Sequence, residues 1–272
     1  MSSSREVVIH ESAELLAAAT GNRLLAKLVD IQAAGREPRI VLTGGGSGIG
    51  LLIALNASPD RDTVDWQRVE VFWGDERFVP RDDAERNEKQ AREALLDHVG
   101  LDPAKVHAMA ASDGEFGEDV DRAAAAYAAV VGDSPAFDVV MLGMGPEGHV
   151  ASIFPGSAAV HDDGVVVAVR DCPKPPPTRI SLTLPAIRRA TEVWIITGGE
   201  GKAEAVAQAL SDTPEAALPA AGAFGEDRTL FLLDRGSATR LPSGIAVVDG
   251  LIDRRIRSDR ADTLVRKEDD RA

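Results

Sequence analysis

Short apolar runs, rich in β-branched residues, recur along this chain of 272 residues, and several of them end in glycine. A continuous apolar run suits a strand that is covered on both faces of a sheet. Helical stretches separate the runs, and strands that alternate with helices are typical of βαβ units. The sequence therefore predicts an α/β protein with a mostly parallel sheet flanked by helices. The strand candidates are 39–43, 69–73, 137–142, 165–169, 193–197 and 229–233.

The helical stretches are recognised by the spacing of their apolar residues. Leu24, Leu28 and Ile31 share one helix face, and the polar residues between them face outward. We expect this helix and its successors to pack on the faces of the sheet. The further helix candidates are 48–56, 83–98, 118–131 and 202–210.

The length allows one large α/β domain or two small ones, because about 100–200 residues per domain is usual. The proline-rich run 173–177 precedes another strand-like run, so it is interpreted as a structured loop rather than a domain linker. Charged residues dominate the end of the chain after Arg254. This composition predicts a tail, over 251–272, that is a solvated helix or disordered.

Acidic residues outnumber basic ones by 44 to 30, which gives a formal net charge of −14. Nucleic acids and anionic membranes need a net basic surface, so neither is expected as a partner. Cys172 is the only cysteine, which excludes an intrachain disulfide and a cysteine-rich zinc site. A single cysteine fits a reducing compartment. Residues 1–13 lack the apolar core of a secretory signal, so we expect a cytoplasmic protein.

The first candidate site is the glycine-rich segment 43–50, which follows the first predicted strand. Ligands of open parallel sheets bind beyond the carboxyl ends of the strands. Glycines allow close approach of the backbone, and the N–H groups at the start of a helix favour an anion. The segment is no Walker A loop, and Ile49 occupies the third glycine position of a dinucleotide fingerprint. A phosphate-binding loop and a tight turn without a ligand both remain open.

Charged residues also follow the second predicted strand, where Asp75 and Arg77 lie in the segment 74–77. Burial of such charges is costly unless they are paired or used. The planar guanidinium of Arg77 could contact an anionic oxygen, although a surface cluster of salt bridges is the alternative. Asn87 lies at a probable helix start, where a helix cap is the alternative to a site residue.

His149 ends a second glycine-rich segment, 143–149, after a further strand. An imidazole at a strand end suits general base catalysis near neutral pH, because its ordinary pKa is near ~6.5. A single histidine is more often structural. The glycine setting, with Glu147 two positions away, favours a functional role for this one.

Two basic residues complete the candidates. Arg179 follows the proline-rich run, and Lys202 lies near a helix start after another strand. Lys202 adds positive charge to the positive end of a helix dipole, which is unfavourable without an anion. Together with the loop 44–47 these side chains could hold one phosphate, whereas singly each is explained by salt bridging or surface exposure.

Five segments occur in an order that resembles the 6-phosphogluconolactonases of the glucosamine-6-phosphate isomerase/6-phosphogluconolactonase family. The resemblance covers about residues 12–234. It implies a single Rossmann-like domain, over 1–250 here, of the type shared with glucosamine-6-phosphate deaminase. The matching segments are 43–47, 74–87, 142–156, 175–181 and 198–202.

The same resemblance implies hydrolysis of 6-phosphogluconolactone to 6-phosphogluconate, the second step of the oxidative pentose phosphate pathway. It implies no cofactor and a cytosolic setting, and we expect no metal and a monomer acting on a small phosphosugar lactone. The resemblance makes His149 the general base and places Arg77 and Asp75 in the lactone pocket. It also implies a phosphate site formed by Gly45, Gly46, Ser47, Arg179 and Lys202. Two further pocket residues are Asn87 and Gly145.

One residue departs from the family pattern, which usually has Asp-Gly-His where this chain has Glu147 before Gly148 and His149. The carboxylate persists but is one methylene longer. Three other functions stay open: a deaminase-like isomerase of the same fold, a non-catalytic sensor of sugar phosphates, and a nucleotide-binding oxidoreductase. The intact histidine disfavours the sensor, and Ile49 disfavours the oxidoreductase.

Overall fold

Ten strands and seven α-helices are present in the residues that the computed structural model describes, 4–132, 136–245 and 247–249. The predicted tail, 251–272, lies outside the described residues. The strands are β1 (Ser4–His10), β2 (Arg39–Leu42), β3 (Glu70–Trp73), β4 (Asp75–Arg77), β5 (Val139–Gly143), β6 (Val166–Val169), β7 (Arg179–Leu182), β8 (Glu192–Thr197), β9 (Arg228–Asp234) and β10 (Val247–Asp249). The helices are α1 (Ala13–Ala33), α2 (Gly45–Asn56), α3 (Asn87–Ala94), α4 (Val120–Gly132), α5 (Leu184–Arg188), α6 (Ala203–Ala209) and α7 (Pro219–Gly222).

Seven of these strands form the central sheet, in the order β10-β1-β9-β8-β5-β2-β3. Every pair of neighbours in it is parallel. The predicted mostly parallel sheet is therefore confirmed. Parallel strands bring their carboxyl ends to one edge, so the loops after β2, β5 and β8 meet there.

The strands β4, β7 and β6 form a second, small antiparallel sheet in the order β4-β7-β6. The predicted strand 165–169 is real, but as β6 it belongs to this second sheet rather than to the parallel one. The strand β4 consists of three charged residues, Asp75 to Arg77, and carries no apolar pattern. Pairing with β7 stabilises it as a strand, which periodicity alone does not reveal.

Helices cover the central sheet, so its inner strands are buried on both faces. Every residue of β2 and β8 is buried, and Trp73 and Trp194 are among the largest fully buried side chains. Leu24, Leu28 and Ile31 are buried on α1, as their spacing predicts. None of the helices in the described residues combines the length and the apolar character that a membrane crossing requires.

Three predicted helices begin later than expected: 83–98, 202–210 and 118–131, the last of which begins as α4 at Val120. The stretch 83–98 contains only α3 and a separate 3₁₀ turn (Leu96–His98), because Leu95 between them leaves the helical conformation with a φ of −147°. The start of α3 is set by Glu76, whose carboxylate accepts hydrogen bonds from the backbone N–H groups of Asn87 and Glu88. The helix α6 begins at Ala203, so the predicted start of 202–210 belongs to a 3₁₀ turn, Glu200–Lys202.

Candidate active site

One open cleft of about 180 Å³ lies at the carboxyl edge of the parallel sheet. The predicted site residues converge on it from five separate segments of the chain, and Glu147 alone among them is not in its wall. Five further lining residues lie within the segments that the sequence singled out, 43–47 and 142–156, and they are Thr43, Gly44, Gly143, Met144 and Ala151. The predicted residues that line the cleft are Gly45, Gly46, Ser47, Asp75, Arg77, Asn87, Gly145, His149, Arg179 and Lys202.

The glycine-rich loop after β2 becomes the first turn of α2. Gly44 precedes the helix in an extended conformation, and Gly45 has a φ of +73°, which favours glycine. The first N–H groups of a helix have no partner within it, and no acidic residue lies in the first turn of α2. Gly45, Gly46 and Ser47 line the cleft at this turn, so the site presents the positive end of a helix dipole.

Asn87, at the start of α3, packs against the glycine-rich loop at Gly44. Its Nδ2 atom donates to the backbone oxygen of Asp75 at 2.8 Å. Its Oδ1 atom lies so close to Gly44 that a Cβ atom there would be only 1.9 Å away. Asn87 is therefore not the cap of α3, whose first N–H groups are bound by Glu76; it joins β4 to the glycine loop.

Two arginines face each other across the small sheet, because Arg77 of β4 pairs in register with Arg179 of β7. Like charges directly opposite in a sheet are unfavourable unless an anion lies between or near them. Arg179 is buried and donates to the carbonyl oxygens of the proline-rich loop at 3.0 to 3.2 Å. Arg77 donates through Nη1 to the backbone oxygen of Glu85 at 2.5 Å. Both guanidinium groups line the cleft.

Asp75 lies beside this pair and is also buried. Its Oδ2 atom accepts from the Ser152 hydroxyl at 2.6 Å and is 4.0 Å from Nη1 of Arg179. The backbone N–H of Ser152 donates in turn to the Ser181 hydroxyl on β7. Asp75 thus connects the small sheet to the segment that follows His149.

His149 is held by two contacts. Its Nδ1 atom is 2.9 Å from Oε1 of Glu147, and its ring stacks on Phe154 with centroids 4.4 Å apart. Gly145 lies below the ring, and a Cβ atom there would be 2.0 Å from Nδ1. Because a carboxylate can only accept, Nδ1 carries the proton in the neutral ring, and the lone pair is on Nε2.

Glu147 stays ionised while His149 stays neutral around pH 7. Burial raises the pKa of Glu147, but the hydrogen bond from Lys174 and the contacts with the backbone and His149 outweigh it and lower the pKa to about 2. Burial lowers the pKa of His149 below its usual value, against the attraction of the Glu147 charge. The site therefore favours a neutral imidazole with a free lone pair on Nε2, which is the form that a general base requires.

Lys202 lines the cleft from the loop after β8. Its Nζ atom donates to the carbonyl oxygen of Met144 at 2.6 Å, and burial lowers the pKa of the amine. Asp234, at the end of β9, shapes this loop by accepting from the backbone N–H groups of Gly199 and Ser237. Asp234 was not predicted as a site residue, because it follows the predicted strand 229–233 and belongs to no recognised motif.

Lys174 is a second residue that sequence analysis missed, although it lies inside the proline-rich loop. Its Nζ atom is 2.9 Å from Oε1 and 3.2 Å from Oε2 of Glu147. Among the residues that the structure describes, no group of His, Cys, Asp or Glu side chains is arranged to hold a metal ion. The cleft thus combines one imidazole with several cations and a helix start.

The fold and the cleft define an α/β protein with a histidine, two arginines and a lysine in one cleft at the carboxyl edge of a parallel sheet. The family model described as glucosamine-6-phosphate isomerases/6-phosphogluconolactonase matches residues 11–231. The chain belongs to this family, as its motifs predict.

Individual relatives agree with this assignment. The chain is 52% identical over 255 residues to the 6-phosphogluconolactonase of Streptomyces coelicolor, covering 90% of this chain and 98% of the relative. The solved 6-phosphogluconolactonase of Trypanosoma brucei is 28% identical, with a TM-score of 0.78, and the match covers 89% of this chain and all of that one. A monomeric glucosamine-6-phosphate deaminase superposes with a TM-score of 0.74 at 18% identity over 86% of this chain and 99% of that one, which confirms the shared fold alone.

Proposed function

We propose that this chain hydrolyses 6-phospho-D-glucono-1,5-lactone to 6-phospho-D-gluconate, with His149 as the general base. The observation that carries the proposal is the meeting of His149 with Lys202, Arg77 and Arg179 in a single cleft. The relatives named as 6-phosphogluconolactonases support the choice of substrate. The reaction would be the second step of the oxidative pentose phosphate pathway.

The phosphate end of the substrate is assigned to the start of α2 and the basic side chains. A phosphate dianion there accepts from the N–H groups at Gly45, Gly46 and Ser47 and relieves the positive charge of Lys202 and Arg179. The chain as a whole carries a net charge of −14, so this local positive region is what can attract an anion. Binding at this end positions the carbonyl carbon, about six atoms away, at the other.

The chemistry is assigned to the lactone end. Nε2 of His149 accepts a proton from water as the water oxygen bonds to the lactone carbonyl carbon. The tetrahedral oxyanion is stabilised by Arg77 or by backbone N–H groups of the loop 143–148. Cleavage of the bond to the ring oxygen then takes the proton back from the imidazolium, which leaves the open-chain acid that ionises to the product.

The size of the effect is consistent with this assignment. General base catalysis contributes about 10²–10⁴-fold, and a δ-lactone is an activated ester that already hydrolyses slowly in water. No covalent intermediate is therefore needed. Asp75, held by Ser152 and near Arg179, is assigned to the lactone pocket together with Arg77, and Asn87 and Gly145 shape its walls.

A coupled assay tests the function. Glucose-6-phosphate dehydrogenase generates the lactone, and its disappearance is followed with and without this protein. Faster disappearance, dependent on His149, is the expected result. Release of ammonia from glucosamine 6-phosphate would favour a deaminase instead, and a rise of Tm with 6-phosphogluconate without turnover would favour a sensor. The cytoplasmic location and the monomeric state stay predictions from the sequence.

A further inference from the structure

The proline-rich loop 173–177 contacts two residues of the site. Its backbone binds Arg179, and its Lys174 side chain binds Glu147, the partner of His149. Its ammonium lies within 3.2 Å of both carboxylate oxygens of Glu147. The carboxylate in turn meets Nδ1 of His149 at 2.9 Å. Lys174, Glu147 and His149 therefore form a continuous chain of charged and hydrogen-bonded groups that ends at the imidazole.

The same loop also binds Arg179 through its backbone. The guanidinium of Arg179 donates to the backbone oxygens of Lys174, Pro175 and Pro176. A displacement of the loop would therefore move the arginine and the partner of the histidine together. The ammonium of Lys174 is also 6.0 Å from the ring centroid of Phe154, the ring on which His149 stacks.

We propose that Lys174 is a positioning residue for His149: through Glu147 it holds the imidazole in place and offsets the negative charge beside it. The proposal rests on the proposed function, in which His149 is the base. Lys174 does not line the cleft, so its role is indirect and it is not a catalytic residue. It also accounts for the glutamate at position 147, whose carboxylate reaches both Lys174 and His149.

The electrostatic consequence has a definite sign. Three charged groups act on His149: Glu147 and Asp75 favour the protonated ring, and Lys174 disfavours it. Removal of the Lys174 charge leaves the two carboxylates unopposed, which raises the pKa of His149. A larger share of the base is then protonated on the acidic side of the pH profile, and the rate there falls.

The test compares Lys174→Met, which keeps most of the aliphatic stem, with the conservative Lys174→Arg. Two quantities are measured: the pH dependence of kcat/KM for the lactone, and the NMR titration of the His149 ring, assigned by its loss in His149→Gln. For Lys174→Met we expect both midpoints to move to higher pH. We also expect kcat/KM to fall about three- to tenfold on the acidic limb and by less on the alkaline plateau, where only the weaker hold on the imidazole acts. Lys174→Arg, which keeps the positive charge, should leave the pH dependence of kcat/KM and the His149 titration as in the wild type.

The matched control is Lys105→Met. Lys105 forms an equally short ion pair with Glu37, at 2.8 Å, away from the cleft, and its loss should move neither midpoint. An unchanged His149 titration in Lys174→Met, an equal shift in the control, or a uniform loss of rate with unmoved midpoints would overturn the proposal. If the wild-type chain fails to hydrolyse the lactone, the proposed function fails, while the NMR titration still reports whether Lys174 acts on His149.

Discussion

Nδ1 of His149 lies 2.9 Å from Oε1 of Glu147, although only Gly148 separates the two residues in the chain. Gly148 has a φ of +84° and is packed against Leu218, so the turn requires glycine there. The backbone N–H of Gly148 donates to the oxygen of Gly145, which closes the turn. The pair is therefore built by a local turn, and its chemistry can be tested one group at a time.

Replacement of His149 by glutamine should abolish general base catalysis without emptying the site. We expect kcat to fall by about 10²-fold or more with little change of KM, because the ring acts on water rather than on substrate binding. Steady-state kinetics on enzymatically generated lactone measure both constants. His98→Gln, on an exposed histidine, is the control. A near-normal kcat would remove His149 from the role of base.

Replacement of Glu147 by glutamine should move the acidic limb of kcat/KM to lower pH, opposite to the change expected for Lys174→Met. The lost negative charge no longer favours the protonated ring of His149. The amide also fails to select the Nδ1–H tautomer, so the plateau of kcat should fall at least about tenfold. The control is Glu204→Gln, which removes an exposed carboxylate on α6. A limb that moves upward in pH contradicts the arrangement.

Replacement of Lys202 by glutamine should weaken binding of the phosphorylated lactone. Loss of a charge-assisted hydrogen bond costs about 1.5–3 kcal/mol, so KM should rise about 10- to 100-fold. Hydrolysis of unphosphorylated glucono-1,5-lactone should change little. Lys89→Gln is a matched control, because Lys89 also donates to a backbone oxygen but lies outside the cleft. An equal loss on both lactones would show that Lys202 does not bind the phosphate.

Replacement of Gly44 by alanine should distort the glycine loop. The added Cβ would lie 1.9 Å from Oδ1 of Asn87, and overpacking of this kind costs about 1–3 kcal/mol. The free energy of unfolding, measured with urea, should fall. Asn87→Gly removes the clashing atom, so a double-mutant cycle should be strongly non-additive. Gly50→Ala, which meets nothing within 4 Å, is the control; additive energies would mean that the two residues do not contact.

The buried carboxyl of Glu76 should make stability depend on pH. Burial raises its pKa from 4.5 to about 7, against the charge of Arg86 and three backbone N–H donors. The folded chain then binds more protons than the unfolded one, so this contribution is fully present below pH 4.5 and is lost as pH rises through about 7. Between pH 5.5 and 7.5 the free energy of unfolding of the wild type should fall by roughly 1–2 kcal/mol relative to that of Glu76→Gln. Urea unfolding at both pH values measures this difference, and a constant difference would contradict it.

The sequence alone determined five of the seven strands of the main sheet, all but β1 and β10, and the position of the cleft. Strand and helix periods are local properties, and strands covered on both faces become continuous apolar runs such as β8. The carboxyl ends of parallel strands share one edge, so the glycine loop after β2, His149 after β5 and Lys202 after β8 could be placed together before any coordinates. The proximity of Glu147 to His149 could also be predicted from the sequence, because the two residues lie within one turn.

Only the tertiary structure decided which side chains support these groups. Asn87 and Gly44 are 43 positions apart in the sequence, and their contact depends on how β4 crosses the glycine loop. Lys174 lies 27 positions from Glu147, in a loop whose proline content indicates rigidity but not direction. The small antiparallel sheet was hidden because β4 is short and charged. Such contacts depend on how segments that are distant in the sequence pack against each other. A pattern of neighbouring residues carries no information about that packing.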